Sequence, residues 1–301
     1  QEVELAFQRF ATSKISQPRD LSNISTLGFR GEALPSIASV ASIRMVTRVV
    51  DERNGTSVHM DNGNLIEVLS TGCPLGTTVT VTNLFARIPA RLKFLKSPSV
   101  ESQRIYSLVQ QLSMAFPLVR FRFDVDGKVR INTRGNGDLR NTYAEIFDSK
   151  TANSMMVVES GDDLGYAAIH GLISSPDTTR SNRNFINLVV NGRCVQNRSL
   201  AFAVEDAYKG FLTVGRHPLS FLFIDVPKED LDFNVHPAKV EIRLKDESQV
   251  FRSIQRLIRN SLISMSPVPY TQLMSVSPIV KHDVYGELDY KQLTESYQKP
   301  L

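Results

Sequence analysis

Apolar positions along the chain recur at two spacings, and the places where the spacing changes mark out the elements. Val3, Ala6, Phe7 and Phe10 repeat at i, i+3, i+4 and i+7, which predicts a helix over the first ten residues. A polar stretch from Ala11 to Ser25 follows, and Gly28-Phe29-Arg30-Gly31 then leads into a second helix that runs to Val40. Four strand-like runs come next: Ser42–Val50, Thr56–Met60, Leu65–Leu69 and Thr77–Val81, the last alternating Thr with Val. Asp61-Asn62-Gly63-Asn64 sits between two of these runs, where Asn-Gly signals a tight hairpin turn. Ile105, Leu108, Val109 and Leu112 predict a helix over Glu101–Phe116 that Pro117 stops. Val119, Phe121, Phe123 and Val125 then alternate with Arg120, Arg122 and Asp124, and Asp126-Gly127 supplies another hairpin turn. Antiparallel strands with helices between them make this part an α+β sandwich.

A second unit starts near Gly135. Leu139–Phe147 reads as a helix, and strands follow at Met155–Glu159, Tyr166–Ile173 and Phe185–Val190. Asn191-Gly192 is a hairpin signal, Ser199–Leu212 a helix and Leu219–Val226 a strand. A loop over Asp230–Ala238 leads to a short strand at Val240–Leu244, and Gln249–Ile263 closes with a helix. From Ser266 no period persists and prolines punctuate a polar tail, as in a linker or disordered segment. The expected division is 1–134, 135–265 and 266–301.

Composition changes this picture little. Of 301 residues, 42% are hydrophobic and 22% charged, enough to build cores. Lys and Arg number 35 against 31 Asp and Glu, a net charge of +4, which permits contact with nucleic acid without arguing for it. Cys73 and Cys194 lie far apart, which excludes a disulfide framework and a cysteine-rich zinc site and fits a reduced, cytosolic setting. No run reaches the roughly 20 apolar residues of a membrane span, and no signal peptide is visible. The sequence opens at Gln1 inside an amphipathic period, so a fragment of a longer protein is expected.

Four segments carry chemistry. Thr26-Leu27-Gly28-Phe29-Arg30-Gly31-Glu32-Ala33-Leu34 places two glycines before a helix start. Free N–H groups there, with a bidentate arginine, form an anion site; the same pattern also serves as a plain glycine-rich helix cap. Ala11-Thr12-Ser13-Lys14-Ile15 sets two hydroxyls beside a lysine, as a phosphate or lid segment or as an ordinary helix end. Gly76-Thr77-Thr78-Val79 brings a glycine into a Thr/Val strand, against a ligand or as simple alternation. In Asn234-Val235-His236-Pro237-Ala238-Lys239, Lys239 enters a strand as a point charge suited to a phosphate. His236 has no other ligand at metal spacing and reads as a loop hydrogen-bonder.

Taken together these segments resemble the MutL family of DNA mismatch-repair proteins. Phe10-Ala11-Thr12-Ser13-Lys14-Ile15 and Leu27-Gly28-Phe29-Arg30-Gly31-Glu32-Ala33-Leu34 come in the family's order. So do Gly76-Thr77-Thr78, Leu84-Phe85, Pro89-Ala90-Arg91-Leu92-Lys93-Phe94-Leu95, Val190-Asn191-Gly192-Arg193 and Asn234-Val235-His236-Pro237-Ala238-Lys239. The resemblance covers Gln1 to about Ile263. It implies an α+β fold: a GHKL (Bergerat-type) ATPase sandwich, here a fragment, followed by a ribosomal-S5-like α+β domain. It implies ATP as ligand, with Gly28, Phe29, Arg30, Gly31, Glu32, Ala33 and Leu34 as the phosphate-cradling segment. Thr12, Ser13 and Lys14 become the lid side, Thr77 the nucleotide-pocket strand and Lys239 the residue reaching the γ-phosphate. It also implies weak, sequence-independent DNA binding, with Arg198 and, less directly, Arg193 as contacts.

Departures from the family pattern bear on activity. The family's general-base Glu, its magnesium-binding Asn and the Asp of its adenine-binding motif belong upstream, and Asp61 cannot stand in for the last, because Leu65 replaces the second glycine. Pro35 and Arg87 also depart from the pattern. The resemblance therefore implies an ATPase using Mg2+ in the complete protein, with no catalytic or metal residue in this piece. By family analogy its partners are a MutS-type mismatch sensor, a downstream nuclease or helicase, and a second copy in a homodimer. The setting is a bacterial cytoplasm at the nucleoid, with no membrane. A gyrase-B-like ATPase and a nucleotide-independent DNA-binding scaffold are the alternatives.

Overall fold

The computed structural model describes residues 2–15, 17, 26–28, 30–161, 166–232 and 242–265. Helix α1 spans Glu2–Leu5, shorter than the ten residues that the periodicity predicts. The chain turns out of helix before Phe10, whose φ is 67° and whose side chain is exposed, while Phe7 still turns inward. Helix α2 covers Ala33–Ala38. Strands β1 (Ser42–Arg48), β2 (Gly55–Asp61), β3 (Asn64–Thr71) and β4 (Gly76–Thr82) form an antiparallel sheet in the order β3-β2-β1-β4. Each strand lies where alternation predicts it. Asn62 and Gly63, at φ 46° and 88°, make the tight turn between β2 and β3.

One face of this sheet is apolar. Ile43, Met45, Val58 and Met60 of the two central strands are buried beneath Phe7 and Ala38, with Val3, Ala6 and Leu34 packed alongside. Val81 and Val79 pair with Ile43 and Met45, and Val68 pairs with Val58, so these three share the apolar face. On the flanking strands, however, they are only half covered: Val79 is 45% exposed and Val68 39%. The helices reach across the centre of the sheet and stop there.

Helices α3 (Pro89–Leu92) and α4 (Pro98–Ala115) follow, each with a proline in its first turn, where no N–H is lost. Strands β5 (Arg122–Val125) and β6 (Lys128–Asn132) form a hairpin closed by Asp126 and Gly127 at φ 49° and 73°. Helix α5 (Leu139–Ile146) is capped by the Asp138 carboxylate, which accepts from the Asn141 N–H at 2.9 Å. Helix α6 (Ser149–Ser154) was not expected. Ser149-Lys150-Thr151-Ala152-Asn153-Ser154 carries no apolar period, and its one local signal is Asp148, which accepts from the Thr151 N–H at 2.6 Å.

The remaining elements build a second sheet. Strands β7 (Met155–Glu159), β8 (Ala168–Ser174), β9 (Thr179–Arg180), β10 (Ile186–Val190) and β11 (Arg193–Val195) precede helix α7 (Arg198–Ala207). Strands β12 (His217–Pro218), β13 (Ser220–Asp225), β14 (Leu231–Asp232) and β15 (Arg243–Leu244) precede helix α8 (Glu247–Met265). The five-stranded sheet has the order β11-β10-β13-β8-β7. β10 and β13 run parallel, and α7 is part of the crossover between them. The sheet is covered on both faces. Leu188, Val190, Leu222 and Ile224 point to one side, where they meet Leu200, Val204, Ile254 and Ile258 of α7 and α8. Val189 and Phe221, one residue out of phase, point to the other and meet Met114, Tyr143, Ile146 and Ile131. That second cluster draws on residues from both sides of position 134. Two-sided cover explains why Phe221–Ile224 reads as a continuous apolar run.

Candidate functional site

The glycine-bearing segment folds back on the start of the chain. Gly31 adopts φ +62°, and a Cβ there would stand 2.2 Å from the Ala11 carbonyl oxygen. Only glycine meets both demands, so the backbone at Gly31 lies flat against the backbone at Ala11. This brings the Thr12–Lys14 segment beside the Gly28–Leu34 segment. Within the first, the Lys14 N–H donates to Thr12 Oγ1 at 3.2 Å; in the second, Thr26 Oγ1 donates to the Gly28 carbonyl at 3.0 Å. Among the described residues, a Cβ added at Gly28 would meet nothing within 4 Å. Glu32 takes the N-cap position of α2 without a side-chain capping bond. The first-turn N–H groups of α2 thus have no cap from Glu32; Arg30 is exposed two residues before Glu32, and Lys14 is exposed in the segment that Gly31 lies against.

The loop is tied to the second sheet from behind. Arg193 of β11 is 6% exposed, and its Nη2 donates to the Thr26 carbonyl at 2.8 Å. Burial holds its pKa below the usual guanidinium value. As a candidate, Arg193 is either a DNA contact or a residue that stabilises its own hairpin; the structure places it inside, as a strut between loop and sheet. Next to it, Asn191 at φ 45° uses its amide twice: Nδ2 donates to the Val226 carbonyl and Oδ1 accepts from the Val226 N–H, each at 2.9 Å. The turn that presents Arg193 is therefore clamped to the exit of β13.

Thr77 sits at the far end of β1 from the turn against which α2 ends. Its hydroxyl pairs with Thr47 Oγ1 at 2.8 Å across β1 and β4, and among the described residues no hydrogen bond joins it to the loop. The Asn62 and Gly63 N–H groups donate to the Ala41 and Ala38 carbonyls, so the turn closes off the end of α2. Asp61 itself pairs with Arg87 at 2.7 Å. Arg198 is exposed at the first position of α7, where the Asn197 side chain caps the Leu200 N–H at 2.9 Å. Phe29 and Lys239 lie outside the described residues, as does His236. Both cysteines are free, and burial pushes the Cys194 thiol up to about 11. Among the described residues no three His, Cys, Asp or Glu side chains gather into a metal site, and no helix is long and apolar enough to cross a membrane.

Residues 143–263 match the family model described as DNA mismatch repair protein, C-terminal domain. Over 268 residues the chain is 40% identical to the DNA mismatch repair protein MutL of Shouchella clausii, taking in 89% of this chain and 40% of that protein. It is 38% identical over 278 residues to MutL of Desulforamulus reducens, taking in 92% and 43%. It thus spans about two fifths of the length of these relatives. Among solved structures it is similar to the N-terminal domain of a DNA repair protein, with a TM-score of 0.69 at 24% identity over 80% of this chain and 77% of that one. It is also similar to the Aquifex aeolicus MutL ATPase domain complexed with ADP, with a TM-score of 0.54 at 23% identity over 70% and 76%. The fold is α+β, similar to that of these two domains. By sequence the chain belongs to the MutL family of DNA mismatch-repair proteins.

Proposed function

We propose that this chain is the nucleotide-responsive, DNA-handling part of a MutL-type mismatch-repair ATPase. The observation that carries the reading is the pair of contacts on the glycine segment, Gly31 on Ala11 and Arg193 on Thr26. Together they connect a lid-side segment, a glycine loop ahead of a helix start and the second sheet. An anion held at that start by N–H groups of residues 31–34, with Arg30 and Lys14, is sensed directly by the other two parts. Thr12, Ser13, Gly28, Phe29 and Thr77 complete the proposed ATP site, and Lys239 reaches the γ-phosphate from the second domain. ATP supplies the polyphosphate whose cleavage resets the loop. We place the functional division near residue 134, the second domain at 135–265 and a linker at 266–301.

Nothing among the 301 residues matches the general-base Glu or the Mg2+-binding Asn that the family uses. These 301 residues alone are expected neither to hydrolyse ATP nor to bind it tightly. Calorimetry with a non-hydrolysable ATP analogue tests this, and micromolar binding would overturn it. Arg198 is a proposed DNA contact on exposed, sequence-independent terms. A MutS-type sensor, a downstream nuclease or helicase, a second copy of the chain and a cytoplasmic, nucleoid setting complete the reading.

The deciding experiment measures ATP turnover by the gene's full N-terminal region beside its Lys239→Ala variant. Slow hydrolysis that falls at least tenfold in the variant is expected. Absence of turnover in the complete region would favour a nucleotide-independent DNA-binding scaffold. Turnover indifferent to Lys239 would keep the ATPase and remove the link between the domains.

A further inference from the structure

Helices α7 and α8 lie side by side and parallel. Asn197 Nδ2 donates to Glu247 Oε2 at 3.3 Å near their starts, Gln255 bonds Asp206 midway, and Arg259 Nη1 donates to the Lys209 carbonyl at 3.3 Å beyond the end of α7. Their outer surfaces carry two matching stripes. On α7 these are Arg198 and Phe202, with Lys209 just beyond its end, all exposed. On α8 they are Arg252, Arg256 and Arg259, at i, i+4 and i+7, all exposed and spaced over about 10 Å. Buried Val250, Ser253, Ile254, Leu257 and Ile258 account for the other side of α8; of the three arginines only Arg259 takes part in the packing, its guanidinium lying 5.7 Å from the Phe211 ring centroid as well as bonding the Lys209 carbonyl.

Aromatic rings stand among these cations. Phe202 is 47% exposed, tilts against Phe251 with centroids 6.2 Å apart, and has Lys209 Nζ 5.3 Å from its own centroid. Beside them an open groove of about 420 Å³ runs between the helices, lined by Ser199, Glu247, Ser248, Phe251 and Arg252. The acids on this face are already committed. Asp206 is paired with Lys209 and Gln255, Glu247 accepts from Asn197, and Asp246 accepts from Ser248 and Gln249. Arg256 makes no hydrogen bond or ion pair among the described residues.

We propose that the α7–α8 face is a single-stranded DNA platform, with Arg252, Arg256 and Arg259 tracking the phosphates and Phe202 stacking a base. The proposal rests on the DNA-handling reading above and gives it a surface. Phosphates seek a row of guanidinium groups whatever the sequence, and an exposed ring offers every base a face. A half-exposed phenyl among cations suits a base better than an apolar peptide, because the groove beside it has a polar rim of Ser199, Ser248 and Arg252.

The chain contains no Trp, so Phe202→Trp makes the platform its own reporter. The 301-residue chain carrying this change is titrated with oligo(dT) at low salt, with labelled-oligonucleotide anisotropy on the unchanged chain in parallel. Saturable quenching of the introduced indole's fluorescence is expected. In anisotropy, the triple variant R252A/R256A/R259A should bind at least tenfold more weakly. Its slope of log affinity against log salt should shrink by roughly 2, at about 0.7 per single-strand phosphate. R252K/R256K/R259K should keep most of the affinity, since the phosphates need charge. If the triple alanine variant loses its thermal unfolding transition, Arg256→Glu alone replaces it, with weaker binding expected. Oligonucleotide that binds with unchanged affinity and slope in the alanine variant, without quenching the indole of the Phe202→Trp chain, overturns the platform and leaves DNA binding standing elsewhere. Tighter binding of duplex than of oligo(dT), again without quenching, also overturns it. No binding of any DNA by the unchanged chain overturns the platform and the DNA reading together.

Discussion

The two sheets of this chain bury their apolar faces to different degrees. The five-stranded sheet has α7 and α8 on one side and α4, α5 and α6 on the other, so that both phases of its central strands are buried. The four-stranded sheet has short helices over its middle only, and Val68, Val79 and Val81 stay half exposed on the face that holds Ile43 and Met45 in the core. A strand's alternation fixes which way its residues point; it does not guarantee that anything covers them. Stability should therefore concentrate in the second sheet, while the first, with its loop, is free to respond to a ligand.

The largest effect that tests this contrast is Leu222→Ala. Leu222 is fully buried on a central strand, and the truncation should cost about 3–5 kcal/mol, read as a drop in the urea midpoint. A loss below about 1 kcal/mol would break the comparison. Next comes Gly31→Ala, which meets both a positive φ and the Ala11 carbonyl; the expected penalty is roughly 1–3 kcal/mol. Hydrogen exchange should show it as faster exchange over residues 11–14 and 31–38 with β13 unchanged. Protection lost equally in both sheets would mean that they unfold as one.

High pH should act on the second sheet. Burial raises the Cys194 thiol from its ordinary 9.0 to about 11, so the folded state holds this proton more tightly than the unfolded one. The stabilisation is complete below pH 9 and is lost as pH rises toward 11, by up to roughly 2 kcal/mol. Urea midpoints at pH 8 and pH 11 for the unchanged chain and Cys194→Ala should differ less in the variant. Val79→Ala, on the half-covered β4, should cost below about 1 kcal/mol, and a cost like that of Leu222→Ala would show that this face is covered in solution. Smallest of all is Arg87→Ala, which breaks an exposed ion pair with Asp61 and should change stability by under about 0.5 kcal/mol.

The strands of the first sheet were legible in the sequence to within a residue or two, because one-sided burial writes itself as alternation. The turns at Asn62-Gly63, Asp126-Gly127 and Asn191-Gly192 were legible because their backbone angles suit few other residues. Helix α6 was hidden, being marked by a cap and not by a pattern. The parallel pairing of β10 with β13 was hidden too, since a strand buried on both faces loses its alternation. At the candidate site the glycine segment stood out through its spacing and its resemblance. Its partners did not: Ala11 and Thr26 take part through main-chain carbonyls, which any residue type offers. Arg193 looked like a surface cation because nothing local in the sequence shows that a side chain will be buried against a segment so far upstream.

That bond has a consequence for how the protein is made. Thr26 and Arg193 are 167 residues apart in the chain. At ribosomal speeds of about 5–20 residues per second, the glycine loop leaves the tunnel roughly 8–33 s before the arginine that will hold it. During that interval the loop exists without its strut, together with a sheet whose outer strands are still bare. The second sheet, completed last, is thus also what finishes the first.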